Sequence, residues 1–149
     1  MEIKILDNSE VSIFTDLIHV FAEAFEMQGF QIPNQKHLLK TLKNENFKVL
    51  VAIVDGQVMG GITLYILPPY YRNKSQAYIY DLAVLPISQR KGIGTKLVEA
   101  VLRYGRKNGF EEVFVQADKV DDHALAFYRS IPGVHEEDVI HFSYQMQTR

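Results

Sequence analysis

The sequence predicts an α/β (α+β) fold, a single domain whose central mixed sheet is flanked by helices. Two β-rich runs meet at Asp55-Gly56, which indicates an antiparallel hairpin. An apolar run ending at Pro86 precedes a helical pattern and then a further strand pattern, which indicates a parallel crossover. The chain has 149 residues and no repeat or low-complexity linker, so one domain spanning 1–149 is expected.

The first half supplies a strand, two helices and the hairpin. Residues 2–6 alternate as a short strand, and Asn8-Ser9 provides a cap for a helix that continues to about Phe25. Pro33-Asn34 begins a second helix, whose lysines lie outside and whose leucines lie inside. The hairpin strands cover residues 47–54 and 58–67, and Pro68-Pro69 ends the second strand.

The second half alternates strands and helices. A third long apolar run over 77–85 is followed by a helix over 91–108, which Gly109 caps. A strand over 112–117, a short helix over 121–130 and a last strand over 139–146 complete the pattern. The predicted order is therefore β-α-α-β-β-β-α-β-α-β.

Composition excludes several classes of protein. Cysteine is absent, which excludes a disulfide scaffold, a thiol nucleophile and cysteine-bound zinc, and favours the cytoplasm. The five histidines show no metal-ligand spacing, so no metal is expected. The net charge of −2 argues against nucleic acid as a partner. No apolar run approaches the length of a membrane span, and the first residues show no signal peptide.

The most informative segment joins the strand ending at Pro86 to the next helix. It reads Gln89-Arg90-Lys91-Gly92-Ile93-Gly94. The two glycines leave the backbone open, and the first amides of the following helix have no intrahelical partners. With the helix dipole and two cationic side chains, this turn favours a phosphate. A glycine-containing helix start with solvated basic residues is the simpler alternative. Neither a Walker loop nor a dinucleotide fingerprint matches it.

Here the sequence resembles the GNAT superfamily of acetyl-coenzyme A dependent N-acetyltransferases. Gln89–Gly94 matches its Gln/Arg-x-x-Gly-x-Gly/Ala pyrophosphate loop, and Leu-Ala-Val-x-Pro over 82–86 matches its central strand. The helix over 121–128 matches the later helix that carries a tyrosine, with Asp121 in place of the usual Asn. Short sequence segments such as Tyr78-Ile79-Tyr80-Asp81 and Val115-Gln116-Ala117-Asp118 resemble, more specifically, the aminoglycoside 3-N-acetyltransferase branch.

The resemblance implies a donor site for acetyl-coenzyme A. The residues it assigns to the pyrophosphate are Gln89, Arg90, Lys91, Gly92, Ile93 and Gly94. Backbone groups of Leu82, Ala83 and Val84 are expected to pair with the pantetheine amides, as an added strand would. Asp121 is assigned to the pantetheine arm.

Catalysis requires a base for the ammonium acceptor and an acid for the departing thiolate. Tyr128 is the candidate acid, and its alternative role is that of a core aromatic with a satisfied hydroxyl. The candidate bases are Asp81, Asp118, Asp121 and Asp122; we favour Asp81 and Asp118, because Asp81 interrupts an apolar strand and Asp118 ends one. Asp121 and Asp122 also suit a helix cap, which is the expected role of at least one.

Charge along the chain bears on the acceptor. Residues 89–108 carry six basic side chains against one acid, and residues 111–138 carry eight acids against two basic side chains. The first block suits a phosphate-bearing donor and the second a small cationic amine, unless both merely keep the surface soluble. A polyamine or an aminoglycoside fits this charge, and the resemblance to the aminoglycoside 3-N-acetyltransferase branch makes an aminoglycoside the first acceptor hypothesis, which implies antibiotic resistance. The alternatives are a polyamine, a peptide or protein amine, or a non-catalytic coenzyme A binding module.

Two further expectations concern the middle of the chain and assembly. Tyrosines are concentrated between residues 65 and 80, where they either wall an acceptor site or simply follow the strand preference of this residue: Tyr65, Tyr70, Tyr71, Tyr78 and Tyr80. The resemblance also favours a homodimer, in which the last strand and the first helix supply interface surface.

Overall fold

The computed structural model of the chain describes residues 1–147 and confirms the predicted mixed sheet with flanking helices. The five strands are β1 (Glu2–Ile5), β2 (Phe47–Val54), β3 (Gln57–Leu67), β4 (Gln76–Val84) and β5 (Glu112–Val115). They lie side by side in chain order. The first four pair antiparallel, and β5 pairs parallel to β4, as the predicted crossover requires.

Within residues 1–147, the α-helices also lie where the sequence predicts them, and a short 3-10 helix covers Pro86–Ser88. The α-helices are α1 (Val11–Ala24), α2 (Gln35–Lys43), α3 (Ile93–Lys107) and α4 (Asp122–Arg129). Asn34 caps α2 as expected, since its Oδ1 accepts the His37 N–H at 2.9 Å. The predicted cap of α1 at Asn8-Ser9 is wrong, because the Asp7 carboxylate accepts the Ser9 N–H at 2.8 Å and holds a turn. The helix therefore begins after Glu10.

The hairpin between β2 and β3 has the tight turn that Asp55-Gly56 predicts. Asp55 has φ 51° and Gly56 has φ 78°, so both central residues are left-handed. This is the type I′ geometry, whose twist matches that of the flanking strands. The turn sets the register that pairs Val54 with Gln57.

Helices α1 and α3 cover opposite faces of the sheet. On one face, Leu17 of α1 belongs to a buried cluster with Val49 and Val51 of β2. The alternate residues Leu50, Ile62 and Leu64 are fully buried and point to the other face, which packs with α3. Helices on both faces therefore hold the middle strands in place.

The chain forms two compact units, Met1–Gln116 and the remainder from Ala117 onward. The first contains the sheet with α1 to α3, and the second contains α4. The expectation of one domain over 1–149 stays a prediction. None of the helices in residues 1–147 is long and apolar enough to cross a membrane.

The predicted last strand over 139–146 is wrong. The structure describes this whole segment and assigns it no β-ladder. Its alternating apolar side chains are 77–83% exposed at Phe142, Tyr144 and Met146. Alternation gives a segment the pattern of a strand, but a strand also needs a backbone partner, and pattern alone does not supply one.

Candidate active site

β4 extends beyond the end of β5, and we call the edge of β4 that β5 leaves unpaired the gap. The two strands pair from Gln76 opposite Glu112 to Ile79 opposite Val115, and β4 then continues to Val84. Backbone groups of Leu82, Ala83 and Val84 on this side are therefore beyond the β5 ladder. Such groups are strong donors and acceptors that an extended ligand satisfies by adding a strand. The predicted pantetheine-binding residues lie at this gap.

A β-bulge in β4 lies directly beside the gap. Thr63 of β3 is opposite Asp81, but the next residue, Leu64, is opposite Ile79, so Tyr80 has no partner across this ladder. Bulges bend a strand and re-aim its side chains, and they are frequent next to active sites. Here the bulge separates the paired half of β4 from the half that faces the gap.

Asp81 is held in place at the bulge by Thr63. The Asp81 N–H donates to Thr63 Oγ1 at 3.1 Å, and this hydroxyl donates to Asp81 Oδ2 at 3.3 Å. Burial raises the pKa of the Asp81 carboxyl above its usual range, although the Thr63 hydrogen bond acts in the opposite direction. A half-buried carboxylate with a raised pKa is a better base for an ammonium group than an exposed one.

The turn over residues 89–94, which we call the phosphate turn, has the open geometry that its glycines predict. Arg90 and Gly92 are left-handed, with φ 62° and 82°. Gly92 precedes α3 as its N-cap and supplies no side chain, so no side-chain cap occupies the first amides of the helix. Gln89 Nε2 donates to the Val84 carbonyl at 3.0 Å, which ties the turn to the end of β4. The turn and the gap are thus parts of one site.

A left-handed non-glycine residue such as Arg90 costs energy, on the order of 1 kcal/mol or more. The backbone at Gly92 requires positive φ as well, and there the glycine removes this cost. Arg90 and Lys91 are both exposed, and both carry formal charge beside the helix start. The strained position of Arg90 supports a binding role for this turn.

The second unit holds the other predicted residues. Asp121 Oδ1 accepts the Ala124 N–H at 3.0 Å, so Asp121 is the N-cap of α4, which confirms that one of the paired acids has a capping role. Asp118 is exposed, and its carbonyl accepts the Asp121 N–H at 3.0 Å. Tyr128 lies in α4, where burial first, and the charge of Asp121 second, raise its pKa to about 12.

The first unit contains, along the second half of β4 and the turn before α3, these predicted residues: Asp81, Leu82, Ala83, Val84, Gln89, Arg90, Lys91, Gly92, Ile93 and Gly94. Asp118, Asp121 and Tyr128 belong to the second unit. Sequence reasoning did not single out Thr63, which holds Asp81. Its signal was present, because Thr63 is a polar residue in an otherwise apolar stretch of β3, and a buried hydroxyl needs a partner.

The family model described as the acetyltransferase (GNAT) family matches residues 12–131. An aminoglycoside acetyltransferase from an uncultured soil metagenomic sample, solved with trehalose, is 49% identical with a TM-score of 0.95, covering 98% of this chain and 96% of that one. The same enzyme solved with sisomicin aligns at 48% identity, with the same TM-score and coverage. The N-acetyltransferase YhfO of Bacillus subtilis, itself uncharacterized, is 28% identical, covering 93% of this chain and 91% of its own length.

Proposed function

This chain belongs to the GNAT family of acetyltransferases, and from that premise we propose that it acetylates a primary amine of an aminoglycoside, taking the acetyl group from acetyl-coenzyme A. It is an acyltransferase, and its predicted resemblance to aminoglycoside acetyltransferases is confirmed. The observation that carries the proposal is the half-buried Asp81 carboxylate in the part of β4 that extends beyond β5. Acetyl-coenzyme A bound at the gap would place its thioester beside an amine that is held by Asp81.

The donor is held by two parts of the first unit in this proposal. The amides that begin α3, with Arg90 and Lys91, bind the pyrophosphate. The backbone of Leu82, Ala83 and Val84 pairs with the pantetheine arm, and an N–H of this stretch donates to the thioester carbonyl oxygen as negative charge develops there. Gln89 keeps the two parts in register through the Val84 carbonyl.

Acetyl transfer proceeds by direct attack. Asp81, directly or through a water, takes a proton from the acceptor ammonium, and the freed nitrogen attacks the thioester carbonyl. The N–C bond forms, the C–S bond breaks, and the thiolate leaves with a proton from Tyr128. The attacking nitrogen gives up its second proton to solvent water, and water returns a proton to the Tyr128 phenolate. Because its pKa is raised to about 12, Tyr128 stays protonated at neutral pH and acts as a donor. With no cysteine in the chain, no enzyme thioester can form.

The experiment that tests the proposal is a free-thiol release assay with acetyl-coenzyme A and a panel of amines. We expect release with sisomicin, which the 48% identical neighbour binds, and none or little with spermidine or a peptide amine. Release with spermidine alone would replace the aminoglycoside by the polyamine alternative. No release with any amine would favour the non-catalytic coenzyme A binding module. If the protein acetylates aminoglycosides, we expect it to act in the cytoplasm and to confer antibiotic resistance.

Removing the two cations of the phosphate turn should weaken donor binding. In the double variant Arg90→Ala and Lys91→Ala, we expect the KM for acetyl-coenzyme A to rise at least about tenfold, because one charge-assisted hydrogen bond to phosphate contributes roughly 1.5–3 kcal/mol and about 1.4 kcal/mol corresponds to tenfold. The matched control replaces Arg106 and Lys107, which lie at the other end of α3, and it should leave this KM within twofold. Equal effects of the two double variants would contradict a local phosphate site.

The hydroxyl of Tyr128 should matter for turnover rather than for binding. We expect Tyr128→Phe to lower kcat about 100-fold, since general acids contribute roughly 10²–10⁴-fold, with little change in the KM for acetyl-coenzyme A. Tyr104→Phe is the control, because burial raises the pKa of that tyrosine too, in α3. An unchanged kcat in Tyr128→Phe would remove Tyr128 from the mechanism and leave it a packing role.

A further inference from the structure

Five aromatic side chains form a continuous row across four strands of the sheet, and we name it the aromatic row: Phe47, Tyr65, Tyr80, Tyr78 and Phe114. Successive ring centroids are 5.0, 5.5, 5.8 and 4.8 Å apart. All four spacings fall in the range of direct ring contact. The row therefore forms one surface instead of a scatter of strand tyrosines.

The row passes from the core to solvent. Phe47 is buried against Phe14 of α1, with ring centroids 6.0 Å apart. Tyr65 is 38% exposed and Tyr80 is 60% exposed. A buried anchor at one end holds the row rigid, while its middle presents ring surface to solvent. Exposed, rigid aromatic surface of this kind is typical of ligand sites more than of a core.

The bulge brings this ring surface and Asp81 to one face of the sheet. Thr63 and Tyr65 share a face, because they are two residues apart on β3. Asp81 reaches this face through its hydrogen bonds with Thr63, and Tyr80 reaches it through its ring contact with Tyr65. Consecutive residues of a regular strand point to opposite faces, so the unpaired position of Tyr80 explains the arrangement.

The electrostatics of Tyr65 also indicate that it lies close to Tyr80 and Asp81. The pKa of Tyr65 is raised by burial first, then by the charges of Tyr80 and Asp81. The phenol of Tyr65 therefore stays protonated and serves as a neutral donor beside the carboxylate. A ligand on this face meets flat aromatic surface, a hydroxyl donor and one carboxylate. Flat ring surface suits the C–H faces of a sugar, and the carboxylate suits an ammonium group.

We propose that the aromatic row, centred on Tyr80 and Tyr65, binds an aminosugar ring of the acceptor and presents one of its amines to Asp81. This assignment rests on the proposed function and names the part of the site that selects ring-bearing amines. Stacking on the rings would set the distance between the amine and Asp81, so a linear polyamine would lack this positioning. The row would then determine specificity, while the donor site lies at the gap in β4.

The test measures binding of sisomicin by calorimetry in the presence of coenzyme A, which carries no acetyl group. We expect Tyr80→Ala to weaken the Kd for sisomicin about tenfold, since an aromatic contact contributes up to roughly 1.5 kcal/mol. Tyr80→Phe keeps the ring and should remain within twofold of the unchanged protein. Tyr70→Ala removes a tyrosine that is 99% exposed outside the row, and it should change nothing.

Spermine separates ring stacking from charge. Its Kd should change less than twofold in Tyr80→Ala, because it carries ammonium groups without a sugar face. Sisomicin binding unaffected by Tyr80→Ala, equal losses in Tyr80→Ala and Tyr80→Phe, or equal losses for the two ligands would each overturn the proposal. So would a failure of the unchanged protein to bind sisomicin. Binding that depends on Tyr80 without any thiol release would instead refute the proposed function and leave the row as a binding site.

Discussion

Replacing Asp81 by asparagine is expected to lower kcat/KM for acetyl transfer about 100-fold or more while raising the melting temperature at neutral pH. The loss follows from removing the group that takes the ammonium proton, since a general base contributes roughly 10²–10⁴-fold. The asparagine has nearly the same shape, and its carbonyl oxygen still accepts from Thr63 Oγ1. A large loss of rate in a protein that folds better identifies a functional residue and not a structural one.

The gain in stability has a definite pH window. Because burial raises the pKa of Asp81 in the folded protein above the ordinary aspartate value of 3.8, the folded state binds this proton more tightly than the unfolded state. Ionising Asp81 therefore costs stability at every pH above the folded pKa. Thermal unfolding should show Asp81→Asn as the more stable protein at pH 7, with the difference disappearing as the pH falls below 3.8.

The pH profile of kcat/KM gives a separate check. The acidic limb should have an apparent pKa above the usual range of an aspartate, and Asp81→Asn should lose this limb. Asp118→Asn is the matched control, because Asp118 is an exposed carboxylate that the sequence also nominates. If Asp118→Asn removed the limb and Asp81→Asn kept it, Asp118 would be the base.

Gly61→Ala is expected to destabilise the protein by about 3 kcal/mol, near the upper end for overpacking. A Cβ at this position would lie 2.5 Å from the Leu50 carbonyl oxygen and 2.6 Å from a δ carbon of Leu17. The carbonyl belongs to β2 and cannot move without disturbing the ladder, and Leu17 is fully buried in α1. Denaturant unfolding measures the change, and the melting temperature should fall by roughly 10 °C.

Gly105→Ala is the matched control, since Gly105 is a buried glycine of α3. Its Cβ would lie 3.2 Å from Val113 Cγ2 and 3.6 Å from a ring carbon of Phe110, which belong to half-buried side chains and not to the backbone. Alanine also favours a helix interior by roughly 1 kcal/mol over glycine. We expect this variant to be as stable as the unchanged protein or more so. Equal destabilisation of both variants would contradict a specific clash at Gly61.

Local patterns predicted most elements because each is governed by nearby residues. Alternation and the Asp55-Gly56 turn give the hairpin, and Asn34 gives the start of α2. The boundary of α1 differs because the Asp7 carboxylate accepts the Ser9 N–H and holds this segment in a turn, so that the helix begins after it. The expected strand over 139–146 failed because pairing depends on a partner that its own residues do not specify.

Part of the candidate site is likewise set by local sequence, and the rest depends on the pairing of distant strands. The sequence by itself determined the phosphate turn, since its glycines and cations are contiguous and act through backbone that they themselves shape. It also determined the family, whose model matches residues 12–131. Only the tertiary structure decided that β4 outruns β5, that Tyr80 is bulged and that Thr63 holds Asp81. These features depend on register between strands distant in sequence, and no local propensity encodes that register.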